Sequence, residues 1–226
     1  MLTNLKNQIV ISGAKGFVGK NLKKFLAGKD IKPISLSRNN FQNNKFPSLK
    51  KASIFVHLVG IGLESFDEKF QQVNVEITKT AIKLCKKNNI KKIIYFSGLG
   101  VSKNSCSSYF ISKFNAEQLI KKSGLDYTIF RPSYIVGDDD YLTKNISKQF
   151  SKKRIIIPGS GKFVIQPISI NDVCSCLGIT FYSRKFSNKT IDLVGPNKIT
   201  FLKLIQNSKP SNVKLEKIQL EQAYKK

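Results

Sequence analysis

The sequence contains little of what a metal centre or a disulfide-stapled fold requires. It has one histidine, His57, and its four cysteines, Cys85, Cys106, Cys174 and Cys176, follow neither a metal-binding spacing nor a disulfide framework. We therefore predict reduced thiols and no metal site. Cys174 and Cys176 could be argued as two ligands of a zinc ion, but no second pair exists, so small core residues on a helix are the favoured interpretation.

Long apolar runs are also absent. The longest spans residues 53–63, which is short of the roughly 18 to 20 residues that a membrane-spanning helix needs. The N-terminal stretch MLTNLKNQ lacks the apolar centre of a signal peptide. We therefore expect no transmembrane segment and a cytoplasmic protein, with peripheral attachment to a membrane left open.

Acidic residues are scarce beside basic ones. The chain has 39 lysines and arginines against 14 aspartates and glutamates, a formal net charge of +25. Such an excess attracts phosphates, nucleic acid or anionic lipid, although it says nothing about the fold. Because the lysines are spread along the whole chain, a solvated surface is the favoured interpretation. A basic face that meets a protein complex or an anionic surface stays open as a second one.

What the chain does contain is an alternation of apolar runs and amphipathic segments. The apolar runs predict strands at residues 8–12, 32–37, 53–60, 91–98 and 126–132. The amphipathic segments predict helices at residues 19–28, 73–89, 109–123 and 141–152. Strands that are apolar throughout and separated by helices indicate a parallel sheet covered on both faces, so the predicted class is α/β. Since no linker divides the 226 residues, we expect a single domain.

A glycine-rich stretch, ISGAKGFVG at residues 11–19, joins the first predicted strand to the first predicted helix. Glycine at positions 13, 16 and 19 lets the backbone approach a ligand closely, and a helix N-terminus attracts a pyrophosphate. The spacing is a variant of the dinucleotide-binding fingerprint. We predict a nucleotide site here, and the alternative is a tight strand-to-helix turn.

The end of the second predicted strand bears on cofactor choice. An acidic residue there usually binds the ribose hydroxyls of NAD, whereas an arginine accommodates the 2′-phosphate of NADP. The stretch SLSRNN carries Arg38 and no carboxylate. NADP(H) is therefore favoured over NAD(H), unless Arg38 is simply one more cation of a basic protein.

A tyrosine and a lysine with helical spacing form the candidate catalytic pair. Tyr109 and Lys113 share one face of a predicted helix, and a nearby ammonium group lowers the pKa of a phenol. The spacing alone is weak evidence, since Tyr127 and Arg131 repeat it. Position favours Tyr109, because its helix follows the fourth strand and Ser97 ends that strand at the sheet edge where ligands bind.

Several other polar residues are expected to have structural roles. We expect His57 to end a core strand and Asn74 to hydrogen-bond backbone near the cofactor edge. Residues 138–140 are expected in a solvated loop or at a helix start. Asp172 is expected to cap a helix.

Six stretches follow one another in an order that is specific in combination: ISGAKGFVG, SIFVHLVGIG, VNVEITKTAIKLCKKNNIKKIIYFSGLG, YFISKFNAEQLI, YTIFRPSYIVG and VIQPISINDV. Over about residues 8–200 they resemble the short-chain dehydrogenase/reductase superfamily in its extended or atypical form, the NAD-dependent epimerase/dehydratase type. More narrowly, HLVGIG, FSGLG and RPSYIVGDDD are similar to NAD(P)-binding proteins related to the NADPH-binding accessory subunit of respiratory complex I.

The resemblance implies a Rossmann-type doubly wound parallel sheet and a small C-terminal substrate lobe, contributed by about residues 155–226. It implies that Ser97, Tyr109 and Lys113 are catalytic. The cofactor-binding residues that it implies are Gly13, Lys15, Gly16, Phe17, Val18, Gly19, Arg38, Leu58, Val59, Gly60, Pro132 and Ser133.

Three functions remain open from the sequence. The first is an NADP-dependent oxidoreductase that acts on an unknown carbonyl or sugar-nucleotide-like substrate, with an NAD-linked epimerase or dehydratase on the same fold as a variant. The second is a non-catalytic NADPH-binding accessory subunit of a respiratory or membrane-associated complex. The third is a Rossmann-type scaffold whose basic face binds RNA or anionic lipid.

Overall fold

Strands and helices alternate along the part of the chain that the computed structural model describes, residues 9–219 and 222. The strands are β1 (Ile9–Ser12), β2 (Ile34–Leu36), β3 (Ile54–His57), β4 (Lys92–Phe96), β5 (Asp126–Pro132), β6 (Ile135–Val136), β7 (Arg154–Pro158), β8 (Val164–Ile165), β9 (Ile168–Ser169), β10 (Lys189–Leu193), β11 (Ile199–Thr200) and β12 (Lys214–Ile218). The α-helices are α1 (Phe17–Ala27), α2 (Arg38–Gln42), α3 (Ile77–Lys87), α4 (Ser108–Lys121), α5 (Tyr141–Ser151), α6 (Ile170–Thr180) and α7 (Phe201–Ser208). A π-helix (Gln71–Glu76) leads into α3, and a 3-10 turn (Arg184–Phe186) precedes β10.

The central element is a six-stranded parallel sheet in the order β10-β5-β4-β3-β1-β2. Five of its strands, β1 to β5, are the five strands that the apolar runs predict. The crossover from β2 back past β1 to β3 makes the sheet doubly wound, as expected. The predicted α/β class with a Rossmann-type parallel sheet is therefore confirmed.

Both faces of this sheet are buried. On one face, Val10, Phe55 and Ile93 pack in a hydrophobic cluster that also contains side chains of α3 and α4. The neighbours of Val10 along β1, Ile9 and Ile11, point to the other face and are fully buried as well. Burial on both faces explains why these strands read as continuous apolar runs.

Two local features were not predicted. Residues 38–42 form the short helix α2, which a capping box at Ser37 and Asn40 starts. The N-terminal part of the predicted helix at 73–89 is a π-helix, and its wider turn coincides with the buried side chain of Asn74. At the next helix, Asp140 is the N-cap of α5 and accepts a hydrogen bond from Thr143 N, in line with the expected helix start.

The chain divides into two units, and their bounds differ from the predicted lobe at about 155–226. The first unit comprises residues 9–132 and 171–193 of the described chain, because α6 and β10 return to the large sheet. The second unit begins at residue 133 and resumes at 194.

The second unit has its own small core. Its strands pair two by two, as β6 with β9, β7 with β12 and β8 with β11. Ile155, Ile157, Ile205 and Val213 form its buried cluster. Within the described residues, no helix is long and apolar enough to cross a membrane.

Candidate cofactor cleft and active site

A cleft of about 700 Å³ opens at the carboxyl edge of the large sheet, in the first unit. It lies where strand order reverses, since β1 sits between β2 and β3 and the chain segments after all three strands line it. Open α/β sheets bind their ligands at such a switch point. Of the predicted cofactor-binding residues, those that line this cleft are Gly13, Lys15, Gly16, Arg38, Leu58, Val59 and Gly60.

The glycine loop leaves no room for side chains at two positions. Gly13 has a φ of +74°, and a Cβ there would lie 2.9 Å from the carbonyl carbon of Leu58. A Cβ on Gly19 would overlap the carbonyl oxygen of Gly13 and lie 2.7 Å from Ala14 Cα. The loop is therefore folded tightly against itself and against the end of β3, in a way that only glycine permits.

The start of α1 has the features of an anion site. Gly16 is the N-cap and offers no side-chain cap, and the first turn carries no acidic residue. The backbone N–H groups of Phe17, Val18 and Gly19 therefore begin the helix without an intrahelical partner. Such groups fit a pyrophosphate at this helix terminus.

The segment after β3 connects the cleft to the predicted catalytic lysine. Leu58 N donates to Ser12 O at 3.1 Å, which holds this segment beside the glycine loop. A Cβ on Gly60 would lie 3.2 Å from Asn74 Oδ1 and 3.3 Å from Lys113 Nζ. Gly60, which lines the cleft, therefore lies beside the Lys113 side chain.

The predicted catalytic residues meet where β4 ends. Lys113 is almost fully buried, donates to Phe96 O at 2.6 Å and lies 4.3 Å from the centroid of the Tyr95 ring. The Tyr109 hydroxyl lies next to Gly98. A Cβ on that glycine would be 3.4 Å from the hydroxyl oxygen. Ser97 is buried, and its Oγ has no hydrogen-bond partner among the described residues.

A buried hydrogen-bond network holds the Tyr109 helix against the segment after β3. Asn74 Nδ2 donates to Ser112 Oγ at 2.9 Å, and Ser112 Oγ donates to Tyr109 O at 2.7 Å. The Asn74 amide also accepts from Ile61 N at 2.9 Å and donates to Ile61 O at 3.2 Å. The prediction that Asn74 bonds backbone near the cofactor edge is confirmed.

The remaining two predicted cofactor-binding residues lie at the end of β5 and directly after it. Pro132 ends that strand, and its carbonyl oxygen accepts from Leu99 N at 2.9 Å, so it lies beside the end of β4. Ser133 is the first residue of the second unit.

Comparison with known proteins agrees with this geometry. An NAD(P)H-binding family matches residues 49–155. Prestalk A differentiation protein A of Dictyostelium discoideum is 25% identical over the whole chain, which spans 77% of that protein. A mitochondrial NADH dehydrogenase [ubiquinone] 1 alpha subcomplex subunit 9 of Arabidopsis thaliana is 28% identical over 67% of the chain, which spans 39% of that subunit's length. The ceramide reductase of Caulobacter vibrioides is 23% identical over 78% of the chain and 62% of its own length.

Solved structures share the fold. MoeE5 in complex with UDP-glucuronic acid and NAD superposes with a TM-score of 0.77, covering 94% of this chain and 85% of its own, at 16% identity. These similarities support the resemblance to the short-chain dehydrogenase/reductase superfamily that the sequence motifs indicate. The chain contains an NAD(P)-binding domain.

Two carboxylates that the sequence patterns did not indicate line the same cleft. Arg38 Nη1 and Glu68 Oε1 lie 2.7 Å apart, and Asp67 precedes Glu68. No local pattern could have identified Glu68, since the contact joins residues 30 positions apart through the tertiary fold. The carboxylate that pairs with Arg38 therefore belongs to the segment after β3 and not to the end of β2.

Burial dominates the electrostatics of the catalytic pair. It lowers the pKa of Lys113 from 10.5 to about 7, opposed by the nearby Glu117 carboxylate. It raises the pKa of Tyr109 above 10.0. The expectation of a lowered pKa for this phenol therefore does not hold in this structure, because burial disfavours the charged phenolate.

His57 ends β3 in the core, as predicted, and is fully buried. Its Nδ1 lies 2.7 Å from Ser12 Oγ, and its Nε2 lies 3.0 Å from Thr78 Oγ1. Burial, with a smaller contribution from the Lys113 charge, lowers the pKa of His57 to about 3. The imidazole is therefore neutral at physiological pH.

This neutral histidine should make the protein sensitive to mild acid. Below pH 6.5 an unfolded chain protonates His57 while the folded protein does not, so we expect the free energy of unfolding to fall by about 1 kcal/mol per pH unit. Urea unfolding of the wild type and of His57→Gln between pH 7.5 and 5 measures this. The variant should lack that part of the slope, and identical slopes would contradict the assignment.

Among the described residues, no group of three or more histidine, cysteine or acidic side chains could hold a metal ion. Cys174 and Cys176 lie on α6, as expected of small residues on a helix, and Cys174 is buried. Burial raises the pKa of Cys174 to about 11, so its thiol stays protonated near neutral pH.

Proposed function

We propose that the protein is an NADP(H)-dependent oxidoreductase that reduces a carbonyl group. The observation that carries the proposal is the continuity of the site. The glycine loop, Arg38 and Gly60 line one cleft, and a Cβ on Gly60 would lie 3.3 Å from Nζ of Lys113, which donates to Phe96 O at the end of β4. A dinucleotide needs this arrangement, with a phosphate site at one end and polar groups for the nicotinamide at the other.

The residues present fit the cofactor. The glycine loop and the start of α1 would hold the pyrophosphate, and Leu58–Gly60 would line the adenine ribose. Arg38 would bind the adenosine 2′-phosphate, and Pro132 and Ser133 would line the nicotinamide pocket. When bound, NADPH supplies a hydride to the carbonyl carbon of a substrate.

The chain's own groups would handle the proton and the orientation. Tyr109, with its pKa above 10.0, holds its proton at neutral pH and would donate it to the carbonyl oxygen. Lys113 would bind the nicotinamide ribose and place positive charge beside the phenol. Ser97, buried and without a partner among the described residues, has a hydroxyl available to hydrogen-bond the substrate.

Two similar proteins favour a substrate class. The Caulobacter vibrioides relative is named a ceramide reductase, and MoeE5 was solved with UDP-glucuronic acid and NAD. We propose a carbonyl or sugar-nucleotide-like substrate. An NAD-linked epimerase or dehydratase would use the same residues.

A non-catalytic accessory subunit is the second candidate. It is favoured by the similarity to the Arabidopsis thaliana NADH dehydrogenase subunit. The chain would then bind NADPH and contribute to a respiratory or membrane-associated complex without turnover. Co-purification with such a complex would favour this function, and robust turnover by the isolated protein would count against it.

The cofactor assignment is tested by titration with NADPH and with NADH, followed by nicotinamide fluorescence. We expect tight binding of NADPH, and we expect Arg38→Ala to weaken it by about tenfold, the value of one lost charge-assisted hydrogen bond. NADH binding should change by less than about twofold, since it lacks the 2′-phosphate.

The matched control is Arg184→Ala. Arg184 is an exposed arginine of the same unit outside the cleft, so this variant removes the same charge elsewhere. If both variants weaken NADPH binding equally, the effect is one of net charge and the role of Arg38 is refuted. If the wild type binds neither nucleotide, the proposed function fails and the third possibility, a basic scaffold, becomes the better one.

A further inference from the structure

The adenosine end of the cleft holds an ion pair that joins its two sides. Arg38 follows β2 and Glu68 belongs to the segment after β3, so the two residues approach from either side of the glycine loop after β1. Arg38 Nη1 and Glu68 Oε1 are 2.7 Å apart, and both residues line the cleft.

The pair is unusual in this chain because carboxylates are scarce. The protein has 14 acidic residues against 39 basic ones, yet Asp67 and Glu68 both line the proposed dinucleotide cleft. A carboxylate that pairs with Arg38 competes with a phosphate group for that arginine. Its presence therefore needs an explanation other than solubility.

A turn holds the backbone of Glu68, and Arg38 has the more exposed side chain of the pair. Ser65 N donates to Glu68 O at 3.0 Å, and Glu68 N donates to Ser65 Oγ at 3.2 Å, so a closed turn fixes the backbone of Glu68. The Glu68 side chain is 27% exposed, whereas that of Arg38 is 62% exposed. Arg38 can swing away from Glu68 with little loss of packing.

We infer that Glu68 is a specificity residue that restrains Arg38 and thereby limits the preference for NADP(H) over NAD(H). This inference rests on the proposed NADP(H) site. A 2′-phosphate must draw Arg38 away from Glu68 in order to pair with it. The non-phosphorylated cofactor does not need this change, and the carboxylate can accept a hydrogen bond from its ribose hydroxyl. Glu68 thus acts against NADPH and not against NADH.

The test is the ratio of NADPH to NADH affinity in Glu68→Gln. Glutamine keeps the backbone turn at Ser65 and an oxygen acceptor, and it removes the charge that holds Arg38. We expect NADPH to bind about fivefold more tightly, the upper range for a partly exposed ion pair. NADH affinity should change by less than about twofold, and urea unfolding should show a variant as stable as the wild type.

A double-variant cycle shows whether Glu68 acts through Arg38. In an Arg38→Ala background, Glu68→Gln should change the affinity ratio by less than about twofold, because the restrained partner is gone. An equal change in both backgrounds would overturn the inference, since Glu68 would then act by direct repulsion of the phosphate.

Glu76→Gln is the matched control for charge. Glu76 ends the π-helix, and its Oε1 lies 2.8 Å from Nζ of Lys79 on α3. Glu76 is not one of the residues that line the cleft. It should leave the affinity ratio unchanged. An unchanged ratio in Glu68→Gln, with both nucleotides bound by the wild type, overturns the role of Glu68 and leaves the proposed function standing. A wild type that binds neither nucleotide overturns both.

Discussion

Gly19→Ala is expected to abolish tight nucleotide binding. Its new methyl group would overlap the carbonyl oxygen of Gly13 and lie 2.7 Å from Ala14 Cα, so the loop must move. These neighbours are backbone atoms and cannot rotate away. A moved loop no longer presents the N–H groups at the start of α1 to a pyrophosphate. The loss of one or two hydrogen bonds to a charged group corresponds to about a 10- to 100-fold weaker complex.

The same substitution should also cost stability, about 1 to 3 kcal/mol, because overpacking forces the backbone to shift. Urea unfolding separates this effect from the loss of binding. Gly28→Ala is the matched control on the same helix. Gly28 has a φ of −64°, and its Cβ would meet no atom closer than 3.6 Å, so both binding and stability should be retained. Unchanged binding by Gly19→Ala would reduce the glycine loop to a structural turn.

The sheet and the position of the candidate catalytic pair could be predicted from the sequence because their signals are local. The strand β1 is an uninterrupted apolar run, and a parallel strand buried on both faces has that pattern. Tyr109 and Lys113 are four residues apart on α4, and the order of strands and helices puts the start of that helix after β4. The glycine loop was likewise recognisable from its spacing between a strand and a helix.

The contacts that could not be predicted join distant parts of the chain. The pairing of Arg38 with Glu68 depends on how the segment after β3 folds back over the cleft. The raised pKa of Tyr109 depends on burial, which a spacing of four residues does not report. The return of β10 to the large sheet depends on pairing with β5, so the sequence placed the boundary of the second unit differently.

Tyr109→Phe is expected to lower turnover by about a thousandfold, within the usual contribution of a positioned proton donor. The measurement is NADPH consumption with a panel of aldehydes, ketones and nucleotide-linked keto sugars. The centroid of the Tyr109 ring lies 5.8 Å from that of Phe70 and 5.2 Å from that of Phe110. Removing the hydroxyl leaves these aromatic contacts in place. We therefore expect the affinity for NADPH to change by less than about threefold, since the phosphate site is untouched.

Tyr127→Phe is the matched control, because Tyr127 and Arg131 have the same spacing as Tyr109 and Lys113. Tyr127 lies on β5 and packs against the hydrophobic core, and Arg131 donates hydrogen bonds of 2.9 Å and 2.7 Å to Glu117. We expect this variant to consume NADPH at the wild-type rate. Full activity in Tyr109→Phe would refute the proposed proton donor. Tight NADPH binding with no turnover by the wild type on any substrate of the panel would favour the accessory subunit, because the phosphate site would then serve binding alone.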